Sequence, residues 1–157
     1  MPHRCRPIRR HSPLRIHSSD VSSLRPRVGP RRMGDNTFIM NLNSASMTAA
    51  GYNHSVDDFD KIYDYASTGN DVARFYDPAA NNTFKARPSL SWMYGSGYFN
   101  CAGNFENTYT YASTGSEPAF LYGSATNDLF YANSSSKALS RTGFSNYISG
   151  LQENEGL

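Results

Sequence analysis

Few residues of this chain could do covalent chemistry. Outside the first 33 residues there is one histidine, His54, and one cysteine, Cys101, and no nucleophile, zinc-binding or phosphate-binding motif. Carboxylates are present, but their spacing directs no pair of them to one place, as general acid–base catalysis requires. The sequence therefore predicts that the protein is not an enzyme.

Oxygen-bearing side chains around turns suggest a different chemistry, the binding of a hard cation. Calcium takes six to eight oxygen ligands from carboxylates, side-chain amides and turn carbonyls. The candidate ligands are Asp71, Asp77, Asn81, Asn82 and Asp128. Calcium is the one cofactor that this pattern suggests.

Aromatic side chains are the second candidate for binding, with 11 Tyr, nine Phe and one Trp. Trp92 and Tyr94 lie in one aromatic-rich stretch. Tyr76 and Tyr122 have the opposite parity to their apolar neighbours, so we expect them to face outward. These four could stack on the sugar rings of a surface polysaccharide or contact other copies of the chain. The alternative is that the aromatics form the core, because long aliphatic residues are scarce.

The first 33 residues differ in composition from the rest. They hold nine Arg, no Lys and one acid, whereas residues 34–157 hold six of the 15 basic and 12 of the 13 acidic residues. Five prolines exclude a helix of useful length. We expect residues 1–33 to be a disordered or non-native leader, with a nucleic-acid-binding tail or a transit peptide as alternatives. No apolar run has the length of a signal peptide or a membrane span.

The remaining sequence aligns with itself at an offset of 46 residues. Residues 59–86 and 105–132 share 13 of 28 positions, including the YASTG of both segments. Gly97 and Asn100 match Gly143 and Asn146 at the same offset. We therefore divide the chain after its leader into a partial unit, two complete units and a tail: 34–58, 59–104, 105–151 and 152–157.

The acids change between units where the aromatics are retained. Glu117 and Gly123 stand 46 residues after Asp71 and Asp77. A repeated metal site would keep its carboxylates. The comparison therefore favours the alternative that these acids and amides stabilise turns.

Within a unit, the pattern predicts β-strands. IYDYA and ARFYD alternate, TFKA and SLSWMYG follow, and residues typical of turns separate them. The predicted fold is all-β, a β-solenoid-like stack of short strands, with propeller-blade-like units as the alternative. Two and a half units cannot close a propeller, which favours the stack. The predicted inward ladders are Tyr63/Tyr109, Tyr65/Tyr111, Ala73/Ala119, Phe75/Leu121, Phe84/Phe130 and Ala86/Ala132.

The stretch GNDVARFYDPAANNTF resembles a tandem repeat of large secreted or surface proteins of planctomycete-type bacteria, with units of the form YAxxGGNDxAxLYDSxGNDTF. The resemblance extends from about Gly34 to Leu151. The GND triplet also resembles the calcium-binding nonapeptide repeats of RTX-type proteins, although the spacing here is 11 residues. The resemblance implies a secreted or cell-surface location.

Together these features predict a structural or adhesive repeat module of a larger extracellular protein, with calcium as a candidate stabilising ion. The alternative is a carbohydrate- or protein-binding module that uses an aromatic surface stripe. We expect no membrane span and no binding of nucleic acid.

Overall fold

The protein is all-β. The computed structural model describes residues 34–66, 68–77, 81–113 and 117–150, and the predicted leader and tail lie outside these ranges. Among the described residues there is no helix that could cross a membrane. The described residues form thirteen strands: β1 (Thr37–Met40), β2 (Ala45–Ala49), β3 (Tyr52–Val56), β4 (Lys61–Tyr65), β5 (Val72–Tyr76), β6 (Thr83–Arg87), β7 (Leu90–Gly95), β8 (Tyr98–Gly103), β9 (Asn107–Tyr111), β10 (Ala119–Leu121), β11 (Leu129–Ala132), β12 (Ser136–Arg141) and β13 (Phe144–Ser149).

The strands form two sheets. Sheet I has the order β11-β12-β13-β9-β5-β1-β2-β3, and sheet II has the order β10-β6-β7-β8-β4. Three antiparallel meanders, β1–β3, β6–β8 and β11–β13, lie in sheets I, II and I respectively. Single strands join the meanders through parallel pairings. The meanders therefore alternate between the two sheets.

Parallel pairing stacks the chain into coils. Strand β1 pairs in parallel with β5, β5 with β9, and β9 with β13. Each step advances the chain by four strands, so the structure is a β-solenoid of about three turns. This confirms the predicted stack and not the propeller alternative.

Strands recur at the 46-residue spacing, but in the opposite sheet. A 46-residue step carries β1 onto β6 and β6 onto β11, and these three strands lie in sheets I, II and I. One such step spans five strands, whereas one coil of the stack has four. Equivalent residues of successive units therefore lie in opposite sheets and do not stack within one sheet.

Glycine fixes the same hairpin in every meander. Two-residue loops join the second and third strands, and their second residue is Gly51, Gly97 or Gly143, with φ of 91°, 83° and 94°. Residues with a Cβ avoid this backbone region, so glycine is the residue best suited to the position. This turn explains why the sequence keeps a Gly at the 46-residue spacing.

The core lies between the sheets. Phe38, Phe75 and Phe84 are almost fully buried, and the rings of Phe75 and Phe84 meet edge to face across the two sheets with centroids 5.4 Å apart. Burying one such side chain contributes roughly 1.5–3 kcal/mol. Ala73 and Ala86 are also buried, so four of the predicted inward residues of β5 and β6 are confirmed.

The inward ladders predicted for β4 and β9 are wrong. The outward residues of these strands are half-buried tyrosines, Tyr63, Tyr65, Tyr109 and Tyr111. Their neighbours are buried instead: Ile62, Asp64, Thr108 and Thr110. Tyrosine ends in a hydroxyl that needs a partner or water, and the outer face supplies water. At β11 the prediction also fails, since Phe130 and Ala132 are exposed.

Candidate functional site

Asp71 joins the starts of three neighbouring parallel strands. Its Oδ1 accepts hydrogen bonds from the backbone N–H of Asn36 at 2.8 Å and from the Asn36 side-chain amide at 2.7 Å. Its own backbone N–H donates to Oε2 of Glu106 at 2.8 Å. These residues precede β1, β5 and β9, and Asp71 is fully buried. The carboxylate therefore ties successive coils together.

A second row of polar contacts runs beside the first. The backbone N–H of Asn70 donates to Oδ1 of Asp35 at 2.9 Å, and the Asn107 amide donates to Oδ1 of Asn70 at 2.8 Å. Sequence comparison at 46 residues misses this row because stacked residues here lie about 35 apart. The sequence does contain one indication of this row, because GDN at 34–36 and GND at 69–71 are similar triplets 35 residues apart.

Asp77 occupies the turn that follows β5. Its Oδ1 accepts a hydrogen bond from the Asn82 amide, and its Oδ2 accepts from the backbone N–H of Ser113 at 3.3 Å and from the Ser113 hydroxyl at 3.1 Å. The turn includes Asn81, which has a φ of 71°. Asp77 therefore stabilises a turn and also bonds to the chain segment after β9.

Glu117 lies close to the same turn, and Asp77, Asn82 and Glu117 help to line one small cavity. Both of its carboxylate oxygens are shielded from solvent. Burial first, and then the negative charge of Asp77, raise the pKa of Glu117 above its ordinary value. Burial and the same two acids raise the pKa of Tyr98. Negative charge is therefore concentrated at this cavity.

Asp128 belongs to the corresponding turn of the next unit. Its Oδ2 accepts from the backbone N–H of Ser124 at 2.6 Å, and its Oδ1 accepts from the Ser124 hydroxyl at 2.8 Å. A Cβ at Gly123 would lie 2.4 Å from Oδ2 of Asp128. Gly123 stands 46 residues after Asp77, and Asp128 stands 46 residues after Asn82. The carboxylate therefore stands at the beginning of the turn in one unit, as Asp77, and at its end in the next unit, as Asp128.

The five predicted calcium ligands do not come together. Asp71 and Asp77 lie at opposite ends of β5, roughly 20 Å apart at the rise of an extended strand. Only Asp77 and Asn82 are neighbours, next to Asn81, while Asp128 lies in a separate turn. Among the residues that the structure describes, no three His, Cys, Asp or Glu side chains could together hold a metal ion. Each carboxylate instead accepts hydrogen bonds from protein groups: Asp128 within its own turn, and Asp71 and Asp77 also from a neighbouring coil.

Three of the four predicted aromatic contacts share the outer face of sheet II. Lys85 Nζ lies 5.6 Å from the ring centroid of Tyr94 and 5.3 Å from that of Phe120. The guanidinium of Arg87 lies 5.6 Å from the Trp92 ring and 5.3 Å from the Tyr122 ring. We call these six residues the aromatic face: Lys85, Arg87, Trp92, Tyr94, Phe120 and Tyr122.

Tyr76 lies on the outer face of sheet I. Its ring stacks on that of Tyr111 with centroids 4.9 Å apart. The Arg74 guanidinium donates to the Tyr111 hydroxyl at 3.1 Å and lies over the Tyr109 ring. The prediction that Tyr76 and Tyr122 face outward is confirmed, although the two lie on opposite faces of the molecule.

A buried amide links the sheets once in each unit. The side-chain amide of Asn100 in β8 donates to the carbonyl of Asn41, after β1, at 2.5 Å. That of Asn146 in β13 donates to the carbonyl of Arg87, at the end of β6, at 3.2 Å. Donors and acceptors are each 46 residues apart. We call this contact the asparagine clamp.

One end of the stack exposes apolar side chains. Phe130 in β11 is 61% exposed, whereas its equivalents Phe38 and Phe84 are 0% and 4% exposed. We define the open end by the exposed residues of β10, of β11 and of the position after β10: Phe120, Tyr122, Leu129, Phe130 and Tyr131. Among the described strands, β10 and β11 are the edge strands here. Nothing in the sequence indicates this exposure, because the same residue type is buried at the equivalent positions Phe38 and Phe84.

The residues considered for catalysis lie apart. His54 is exposed on β3 in sheet I, and Cys101 is fully buried on β8 in sheet II. Comparison with protein-family models, with curated proteins and with solved structures finds no match to this chain.

Proposed function

We propose that this chain is a non-catalytic structural module with an adhesive role in a larger extracellular or cell-surface protein. The supporting observation is that the same stacking devices recur in each unit: the glycine hairpin and the asparagine clamp. The stability of a repeat stack increases with each added unit, because contacts between adjacent units hold the stack together. Such a module can extend a larger protein away from a surface and present contact residues along its length.

The use of polar side chains supports the same proposal. In the described residues the carboxylates of Asp71, Asp77 and Asp128 accept bonds that hold turns and strand starts. They do not point together into a pocket where a substrate could react. The resemblance to repeats of secreted proteins adds support for the location.

An adhesion measurement tests this function. Beads that carry the full chain should be retained under flow on surfaces coated with polysaccharide or with the chain itself. Beads coated with an unrelated β-sheet protein of similar net charge serve as the control. If retention equals that of the control beads on every surface, the proposed adhesive role is wrong.

The aromatic face supports a second candidate, carbohydrate binding. Flat rings flanked by cations can stack on sugars and attract acidic ones. A glycan array probed with the full chain should give signals that Trp92→Ala or Tyr94→Ala abolishes. Tyr109→Ala, on the other sheet, is the matched control. An array without signal, or one equally sensitive to Tyr109→Ala, argues against this candidate.

Calcium stabilisation remains part of the proposal for the turn at Asp77. If the ion binds there, millimolar calcium raises the melting temperature and Asp77→Asn removes the increase. Asp128→Asn is the control, because that turn lies elsewhere. A melting temperature that is indifferent to calcium and to chelator excludes the ion.

A further inference from the structure

We propose that the open end is a docking site for a further strand pair of the same repeat, of the β4 and β5 type. The inference rests on the proposed structural role and names the partner of one surface. Its basis is a pairing rule that the rest of the molecule obeys.

The rule specifies which strand belongs beside β11. The first strand of a meander pairs in parallel with the second strand of the following unit: β1 with β5, and β6 with β10. The third meander begins with β11, whose one partner among the described strands is β12. The free edge of β11 is therefore the position of a strand of the β5 type.

The same reasoning applies to β10. Strand β5 pairs in parallel with β9 on the side away from β1. Strand β10 is equivalent to β5, but among the described strands its corresponding side is an edge of sheet II. This edge is the position of a strand of the β4 or β9 type. The two neighbours that the rule requires are consecutive in a unit, so one segment of chain can supply both.

Side-chain sizes match this partner. In the register of β1 with β5, Phe38 stands opposite Ala73 and Met40 opposite Phe75. The β6–β10 pair places Phe84 opposite Ala119, and a larger residue opposite Ala86. At the open end, Phe130 would meet the alanine of the incoming strand and Ala132 its phenylalanine.

The acceptor of the next asparagine clamp is also accessible. The carbonyl of Asn133 lies 46 residues after that of Arg87, which accepts from Asn146. In this structure Lys137 Nζ donates to the Asn133 carbonyl instead. A lysine side chain can withdraw into solvent when a further unit arrives.

A second copy of the chain docked directly is a poorer fit. At the opposite end of sheet II the edge strand is β4, which could pair with β10. That register would put the meander β1–β3 of the copy where β11–β13 of the first chain already lie, because the two meanders are equivalent. A single strand pair meets no such overlap.

The test uses the full chain and a labelled synthetic peptide of residues 59–77, which contains the β4 and β5 sequences. Fluorescence anisotropy should show saturable binding, lost with Phe130→Asp in the protein and with Ala73→Pro in the peptide, since proline cannot donate to the ladder. Tyr76→Ala in the protein is the control and should leave the affinity unchanged. Circular dichroism confirms that Phe130→Asp still folds, as expected for an exposed position.

Three outcomes overturn the proposal. These are no binding at any soluble peptide concentration, binding that survives Phe130→Asp, and binding that the proline peptide retains. Self-association of the full chain that Phe130→Asp abolishes, without peptide binding, would assign the open end to a second copy instead. If the peptide does not bind but bead retention exceeds its control, only this docking proposal is refuted. If the peptide binds but bead retention equals its control, only the adhesive role is refuted.

Discussion

The two ends of the stack carry equivalent strands in different surroundings. Strand β1 and strand β11 each begin a meander of sheet I, yet Phe38 is fully buried and Phe130 is mostly exposed. Strand β1 pairs with β5 on the side away from β2, and sheet II covers its inner face. Among the described strands, β11 has no partner on the equivalent side, and its Phe130 is exposed. Burial in this molecule is therefore set by the neighbouring strands. A position in the repeat does not by itself predict how much its side chain contributes to stability.

Truncating the equivalent phenylalanines should give the largest difference. We expect Phe38→Ala to lower the free energy of unfolding by about 3–5 kcal/mol, because it leaves a cavity in the core. The same change at Phe130 should cost less than about 0.5 kcal/mol. Urea unfolding followed by circular dichroism measures both. Equal losses would show that β11 is covered in solution.

The asparagine clamps should give the next largest effect. Asn100→Ala and Asn146→Ala each leave a carbonyl between the sheets without its donor, which costs about 1–3 kcal/mol. Lys137→Ala is the control at the open end, where water can replace the lost donor, and it should change stability little. A clamp variant as stable as this control would mean that water reaches the core.

The hairpin glycines should give a smaller and more uniform effect. Gly97→Ala forces a Cβ into the positive-φ region, at a cost of about 1–2 kcal/mol. Because the strain is local, Gly143→Ala near the open end should cost the same. Ser96→Ala, one residue before Gly97, is the control. Unequal costs at Gly97 and Gly143 would show that the turn depends on the neighbouring unit.

The smallest effect should be the pH dependence at Glu117. Its pKa is raised in the folded protein, so the folded state holds the proton more tightly than the unfolded chain. The resulting stabilisation is present below the unfolded pKa and is lost as the pH rises through the folded pKa. Glu117→Gln should therefore melt at a higher temperature than the wild type at neutral pH, with the difference shrinking toward pH 4. A constant difference across this range contradicts the assignment.

Much of the fold could be predicted from the sequence. The alternation of ARFYD and the glycine before Tyr98 specify strands and turns through local backbone chemistry. The outward direction of Tyr76 and Tyr122 followed from parity alone. The strand β8 was not predicted separately, because YFNCAG has no clear alternation of apolar and polar residues.

Two features depend on long-range pairing and escaped prediction. The row of contacts at Asp35, Asn70 and Asn107 joins residues 35 or 37 apart, a separation that the 46-residue repeat does not contain. The alternation of β4 predicts buried tyrosines when aromatic character is equated with burial, although Ile62 and Asp64 are the buried residues. The first feature depends on which strands become neighbours, and the second on which face of β4 packs against the opposing sheet.

The alternation of the meanders has a consequence for any chain built of such units. Adding one unit moves the next meander to the other side of the molecule, and adding two returns it to the same side. An outward residue that recurs every 46 positions therefore appears alternately on the outer faces of sheet I and sheet II. One that recurs in every second unit forms a row on one outer face. The parity of the unit count, odd or even, then decides whether the first and last meanders present themselves to one surface or to two opposing ones.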